Sequence, residues 1–176
     1  MLHAPTDDTR IWDKIWVSEK VKWEQCRLQY EKDKNTAFVA WFEETYEKLT
    51  IAFSFYGLPV ENVFLTRQAP HHPMQNRPLV FAEHYPLRAR ELEFLQQFDL
   101  REALFFSSLD EPLLKHFGSD KIAGTIKQLG TTEEECLEGE TVSHYLQHIQ
   151  DKIAAQVTVE LKAVSAADWL MKNLTA

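Results

Sequence analysis

The sequence has little glycine, with five residues among 176, at positions 57, 118, 124, 130 and 139. Phosphate-binding turns depend on glycine because its backbone adopts positive φ without steric cost. These five glycines form no GxxxxGK[ST] loop, no GxGxxG turn and no GxSxG elbow. We therefore expect neither binding nor hydrolysis of ATP, and we predict no cofactor.

Cysteine and long apolar runs are also scarce. Cys26 and Cys136, the two cysteines, lie far apart and form no CxxC pair, which favours the reduced thiols of a cytoplasmic protein. No stretch approaches the ~20 consecutive apolar residues of a membrane span. The first eight residues have neither the basic nor the apolar region of a signal peptide. We expect a cytoplasmic protein without stable membrane insertion.

Basic residues are outnumbered, since 19 Lys and Arg face 27 Asp and Glu and the formal net charge is −8. An acidic surface repels phosphate backbones, so nucleic acid is not an expected partner. Hydrophobic residues make up 44% of the chain, enough for a packed core. The length is typical of one domain, and we predict that 1–176 folds as a single unit.

The first third is predicted to be a helical hairpin covering 1–57. Apolar residues between 7 and 32 recur near helical spacing together with Trp12, Trp16 and Trp23, and a second series of aromatic and aliphatic residues follows between 36 and 56. Gly57 ends the second helix. We interpret the aromatic seam as core that packs on the rest of the domain, with a partner-binding face as the alternative.

The spacing of the apolar residues changes in the middle of the chain. Short apolar runs at 62–66, 79–82 and 103–106 predict strands, and Pro86 is placed to begin a helix that ends near Phe98. A strand, a helix and a strand in this order predict a βαβ unit with parallel strands. The fold class is therefore α/β, with α+β as the alternative, built on a small and partly parallel sheet.

The C-terminal half is predicted to be mainly helical. Helical segments are expected at 111–117, 120–129, 140–155 and 169–174. The segment 156–162 alternates apolar and polar residues with period two, which favours a strand.

Glu83 and His84 are the main candidate site residues because they follow the predicted strand at 79–82. Ligands of α/β sheets bind at the carboxyl ends of strands, and a carboxylate beside an imidazole can perform acid–base chemistry. The alternative interpretation is a pair of surface residues that cap the following helix. Arg88 and Arg90 belong to a group of arginines in the middle of the chain. They can bind an anionic partner, or they can lie on a solvated helix face.

His144 and His148 lie four residues apart on one helix face, a spacing that can ligate a metal. The sequence offers no third ligand beside them, so no metal site is predicted.

The segment ALFFSSLDEPLLKHFGSDKI at 103–122 resembles part of SecA, the motor ATPase of bacterial protein export. It is similar to the stretch where the last strand of the second motor domain leads into the helical scaffold. The likeness continues through LGTTEEECLE at 129–138 and through 142–153, and LVFAEHYPLR at 79–88 is more faintly similar. The resemblance thus covers about 79–155 and is strongest over 105–140.

The sequence departs from SecA where SecA contacts its nucleotide. In SecA a glycine- and arginine-rich element precedes the last strand and reaches the nucleotide, whereas EFLQQFDL at 93–100 has neither residue type. The resemblance therefore implies a fold fragment and a surface rather than ATP turnover. The leading hypothesis is a non-catalytic SecA-like module that binds a protein partner, with Glu83, His84, Arg88 and Arg90 as binding residues. The alternatives are an adaptor unconnected with export and a small enzyme using Glu83 and His84.

Overall fold

The computed structural model describes residues 9–128, 132 and 134–174. Among these residues six strands form one sheet in the order β3-β2-β4-β5-β1-β6. The strands are β1 (Arg10–Trp16), β2 (Ala37–Ala40), β3 (Val63–Leu65), β4 (Leu79–Phe81), β5 (Glu102–Ser108) and β6 (Leu137–Glu138). Neighbouring strands are parallel except β6, which is antiparallel to β1. The α/β class is confirmed.

Helices connect the strands and continue after the last one. They are α1 (Glu19–Lys32), α2 (Glu43–Phe55), α3 (Arg88–Gln97), α4 (Pro112–His116), α5 (Ser119–Gln128), α6 (Glu140–Ala154) and α7 (Ala166–Asn173), and a 3-10 helix spans Thr66–His71. Within the described ranges, none of these helices is long and apolar enough to cross a membrane. The predicted helical C-terminal half is confirmed in α4 to α7.

The predicted βαβ unit is confirmed. Strand β4, helix α3 and strand β5 follow one another, and Val80 pairs with Leu104 in a parallel register. All three residues of β4 are buried, and such short continuous apolar runs are typical of strands covered on both faces.

The predicted helical hairpin over 1–57 is wrong for residues 9–57, which fold as β1, α1, β2 and α2, while residues 1–8 lie outside the described residues. A step of four residues returns to the same face of a strand as well as to the same face of a helix. The spacing of Trp12 and Trp16 therefore could not distinguish the two. Ser18 separates β1 from α1, since its side chain caps the helix by accepting a hydrogen bond from the Val21 N–H.

The predicted strand at 156–162 is also wrong. The alternation of apolar and polar residues has another origin here. Glu160 is hydrogen-bonded to the Trp169 side chain, while its neighbours Val159 and Leu161 are exposed. The Asn173 side chain accepts from the Leu161 N–H and donates to the Leu161 carbonyl. A side-chain amide thus satisfies the backbone groups that a neighbouring strand would otherwise pair.

Helices cover both faces of the sheet. On one face α1 and α2 pack with Trp16, Phe38, Phe53 and Phe106. The expectation that aromatic residues of the N-terminal third form core is confirmed for Trp16, Phe38 and Phe53, whereas Trp12 is 48% exposed. On the other face α3 packs near Phe81, Phe94 and Phe105, and α4, α6 and α7 pack together around Ile15, Leu114, Ile149 and Trp169. Because β1, β2, β4 and β5 are parallel, their carboxyl ends meet at one edge of this layered structure.

Candidate functional site

Beside β4 and β5 the carboxyl edge of the sheet holds buried charged side chains. Lys22 comes from α1, Glu83 and His84 follow β4, and Glu111 precedes α4. The cavity that they border has a volume of about 30 Å³, which is room for roughly two water molecules.

Lys22 is the cation of this edge and is 1% exposed. Its Nζ donates to the Ala82 carbonyl oxygen at 2.7 Å and forms an ion pair with the Glu111 carboxylate. Glu111 also accepts a hydrogen bond from the Ser108 N–H at 3.0 Å. Burial by itself lowers the pKa of Lys22, but the Glu111 carboxylate outweighs it and raises the pKa above its ordinary value. The pair therefore ties α1 to the ends of β4 and β5.

Glu83 caps helix α2, which has no capping side chain of its own at Phe42. Its carboxylate accepts from the Trp41 N–H at 3.0 Å, the Phe42 N–H at 3.1 Å and the Thr45 hydroxyl at 2.7 Å. A carboxylate in this place satisfies unpaired N–H groups at the start of the helix. Burial nevertheless raises the pKa of Glu83 to about 7.

His84 lies between two buried carboxylates. Its Nε2 is 2.7 Å from Asp13 Oδ1, its Nδ1 is 2.7 Å from Glu91 Oε2, and its ring stacks on Phe105 at 4.4 Å. Burial lowers the pKa of His84, but Glu91 and Asp13 outweigh burial and raise it to about 10. The ring therefore carries protons on both nitrogens at neutral pH, and it donates to both carboxylates.

Gln150 extends this network to helix α6. Its Nε2 donates to Glu91 Oε1 at 2.7 Å and to the Tyr85 carbonyl oxygen at 2.8 Å. Through Asp13, His84, Glu91 and Gln150 the network joins β1, α3 and α6 across one face of the sheet. Its chemistry is that of a buried ion cluster in which His84 is bonded to both carboxylates, while Gln150 Oε1 has no hydrogen-bond partner among the described residues.

The structure does not bring the four predicted site residues to one surface. Glu83 and His84 are buried, so the interpretation as surface residues is wrong, and Glu83 caps the preceding helix rather than the following one. Arg88 is half-buried. Arg90 is exposed and contacts Glu93 at 3.1 Å and Glu160 at 3.2 Å. A binding role for these residues remains a prediction.

Sequence reasoning missed the buried charged residues around Glu83 and His84, namely Asp13, Lys22, Glu91 and Glu111. The predicted first helix of the hairpin includes both Asp13 and Lys22. A signal was present, because Asp13 shares its face of β1 with Ile11 and Ile15. A charge on the buried face of a strand indicates a buried partner.

Four large apolar side chains are exposed near the C-terminus. Val159, Leu161, Val164 and Met171 are between 52% and 77% exposed, and we call them the C-terminal patch. Glu160 holds the segment in place, because its carboxylate accepts from the Trp169 Nε1 at 3.1 Å, from Arg90, and from the Tyr85 hydroxyl. Arg90 therefore lies beside the C-terminal patch.

No grouping of three or more His, Cys, Asp or Glu side chains suited to a metal ion occurs in the part of the chain that the structure describes. His144 and His148 are both exposed on α6.

Comparison with known proteins gives one consistent likeness over part of the chain. The SecA proteins of Clostridium beijerinckii and Oleidesulfovibrio alaskensis are each 42% identical to this chain over 52 residues, and SecA of Clostridium botulinum strain Eklund 17B is 40% identical over 52 residues. Each match covers 30% of this chain and 6% of the SecA protein. No family model matches the chain. The chain therefore contains a SecA-like segment of 52 residues within an α/β fold.

Proposed function

We propose that this chain is a non-catalytic SecA-like module that binds a protein partner in the cytoplasm and acts in protein export. The observation that carries the proposal is the closed carboxyl edge of the sheet beside β4 and β5. The edge at which α/β folds bind ligands is occupied here by the chain's own ion pairs.

The size and bonding of this edge support a role without catalysis. Ligand pockets have volumes of roughly 300–1,000 Å³, whereas the cavity beside Lys22 and Glu83 has about 30 Å³. Both nitrogens of His84 are bonded to carboxylates, and both oxygens of Glu83 accept hydrogen bonds. None of these atoms is left to exchange a proton with a substrate, so the geometry favours a binding module over an acid–base enzyme.

The C-terminal patch supports a protein as the partner. Exposed large apolar side chains are candidates for interaction sites, and protein interfaces combine an apolar centre with a polar rim. Arg90 provides such a rim, since its guanidinium contacts Glu160 between Val159 and Leu161. Of the four residues predicted to bind, Arg90 is the one that adjoins this patch.

The SecA-like segment supports the connection with export. In the sequence the likeness is strongest over 105–140, and the described elements there are the end of β5, α4, α5 and β6. The end of β5 and the start of α4 lie beside the closed edge, since the Ser108 N–H donates to Glu111, which pairs with Lys22. A chain that contains this segment, and has ion pairs where α/β folds have a ligand cleft, is suited to bind the export machinery rather than to hydrolyse ATP for it.

The test is a reconstituted translocation assay with SecA, a preprotein and inverted membrane vesicles from the host. Adding the purified chain should change the SecA-dependent translocation rate at least about twofold, because a partner-binding module shifts the equilibrium of the protein that it binds. The variant Met171→Glu should lose the effect. The matched variant Ile51→Glu, at a side chain 69% exposed on α2, should keep it.

An unchanged rate at saturating chain would contradict the role in export. Specific binding of another protein through Met171 under these conditions would then indicate an adaptor unconnected with export. Equal loss of the effect in both variants would show that the C-terminal patch is not the binding surface.

A further inference from the structure

Strand β1 has an open edge over its first four residues. It pairs with β5 along its whole length, from Arg10 to Trp16, but with β6 only at Lys14 and Ile15. The chain turns away at Gly139, whose φ of 106° favours glycine, and then enters α6. Among the described residues, no strand lies beside Arg10–Asp13 on this side.

The backbone of two residues points toward this open side. The Arg10 N–H donates to the Arg101 carbonyl oxygen and the Trp16 carbonyl oxygen accepts from the Leu109 N–H, both in the direction of β5. Successive residues of a strand direct their backbone groups to opposite sides. Ile11 and Asp13 therefore direct an N–H and a carbonyl group each away from β5, as Ile15 does where it pairs with β6.

A groove of about 740 Å³ lies along this edge. Ile11, Trp12, Asp13 and Lys14 of β1 line it together with Gly139 and Ser143. The register Ile15 with Leu137 and Lys14 with Glu138 would continue into this groove if β6 were longer. Adjacent strands lie about 4.8 Å apart and rise about 3.3 Å per residue, so the groove has the place and size of a short added strand.

Acidic side chains surround the groove. Glu102, Glu138 and Glu140 line it with one lysine, Lys14, which lies 3.7 Å from Glu138. Trp12 is 48% exposed there and donates from Nε1 to Glu102 at 2.8 Å. An aromatic ring beside excess carboxylates attracts Lys or Arg side chains.

We propose that the open edge of β1 receives an extended, basic segment of a protein partner as an added β-strand. The backbone groups of Ile11 and Asp13 pair with the segment, because strand addition to a sheet edge supplies main-chain hydrogen bonds. Its basic side chains contact Glu102, Glu140 and the Trp12 ring, while Ile11 and Leu104 contact its apolar side chains. This site is separate from the C-terminal patch and does not depend on the proposed role in export.

The experiment is a selection of short random peptides displayed on phage against the full chain. The selected peptide is then synthesised, and its binding is measured by calorimetry and by amide chemical shifts of the labelled protein. We expect peptides with alternating basic residues, and shift changes centred on residues 10–15 and 137–144. N-methylation of alternate peptide amides should weaken binding about tenfold or more, because it removes main-chain donors.

Protein variants separate this site from other surfaces. Glu140→Lys should weaken peptide binding about fivefold or more, since it reverses a charge beside the groove. The matched variant Glu44→Lys, at an exposed glutamate in the first turn of α2, should bind normally, and so should Met171→Glu. Selection of no peptide, selection of peptides without basic residues, shift changes elsewhere, or indifference to N-methylation would each overturn the proposal.

Discussion

His84 donates from Nε2 to Asp13 Oδ1 across 2.7 Å, and this bond joins the segment after β4 to the middle of β1. The two side chains are 1% and 2% exposed. Nδ1 of the same ring is hydrogen-bonded to Glu91. A single imidazolium charge therefore partly neutralises the charges of two buried carboxylates. The stability of the protein therefore depends on this ring and on its protonation.

The variant His84→Gln should lower the free energy of unfolding by about 3–5 kcal/mol, because it leaves buried carboxylates without their cation. Urea denaturation at pH 7 measures the change. His148→Gln is the matched control at an exposed histidine, and its effect should stay within about 0.5 kcal/mol. A similar small effect in both variants would show that the His84 cluster is not stabilising.

Stability should fall as the pH rises from 5 to 10. The pKa of His84 is raised from 6.5 to about 10, so its contribution is fully present below 6.5 and is lost as the pH rises through about 10. The pKa of Glu83 is raised from 4.5 to about 7. Stability therefore also decreases as the pH rises from 4.5 to about 7, because the folded protein holds the Glu83 proton more tightly than the unfolded chain does.

The fall in stability with pH is measured as the melting temperature of the protein at a series of pH values from 5 to 10. The decline above pH 7 should be weaker in His84→Gln, and the decline below pH 7 should be weaker in Glu83→Gln. A melting temperature that increases from pH 6 to pH 9 in the unmodified chain would contradict the prediction.

Trp16→Ala should lower the free energy of unfolding by about 3–5 kcal/mol, because truncating a buried tryptophan leaves a cavity. Trp16 is 3% exposed and meets Phe106 edge to face at 4.8 Å. Trp12→Ala, on the same strand but 48% exposed, is the matched comparison and should cost about 1 kcal/mol or less. Chemical denaturation of both variants tests the difference, and equal losses would contradict it.

Deleting residues 1–57 should leave a fragment that aggregates. The deletion removes β1 and β2, and β2 lies between β3 and β4 in the sheet, so its loss exposes unpaired strand edges. Size-exclusion chromatography and thermal melting measure the outcome. A monomeric 58–176 fragment with a cooperative transition would contradict this prediction.

Mg-ATP should neither bind nor be hydrolysed. The sequence contains no phosphate-binding loop, and the cavity beside Lys22 and Glu83 has about 30 Å³. Calorimetric titration together with a phosphate-release assay measures both properties. A micromolar dissociation constant with turnover would contradict the prediction.

The α/β class, the βαβ unit and the C-terminal helices follow from the sequence by itself. Short apolar runs such as Leu79–Phe81 lie between turn-forming residues, and helices such as α6 repeat apolar residues over four turns, so each signal is contained within its own segment. The position of Glu83 and His84 after a strand also follows from local sequence. Only the tertiary structure determined which segments of the N-terminal third are strands and which are helices. The four-residue step from Trp12 to Trp16 fits a strand and a helix equally.

The tertiary structure also decided what Glu83 and His84 do. Asp13 lies 71 residues before His84, and Lys22 lies 89 residues before Glu111, so neither pairing leaves a periodic pattern in the sequence. These charges are buried and paired because the strand order places β1 beside β5 and β5 beside β4. A buried charge must find an opposite charge, but only the assembled sheet determines which residue supplies it.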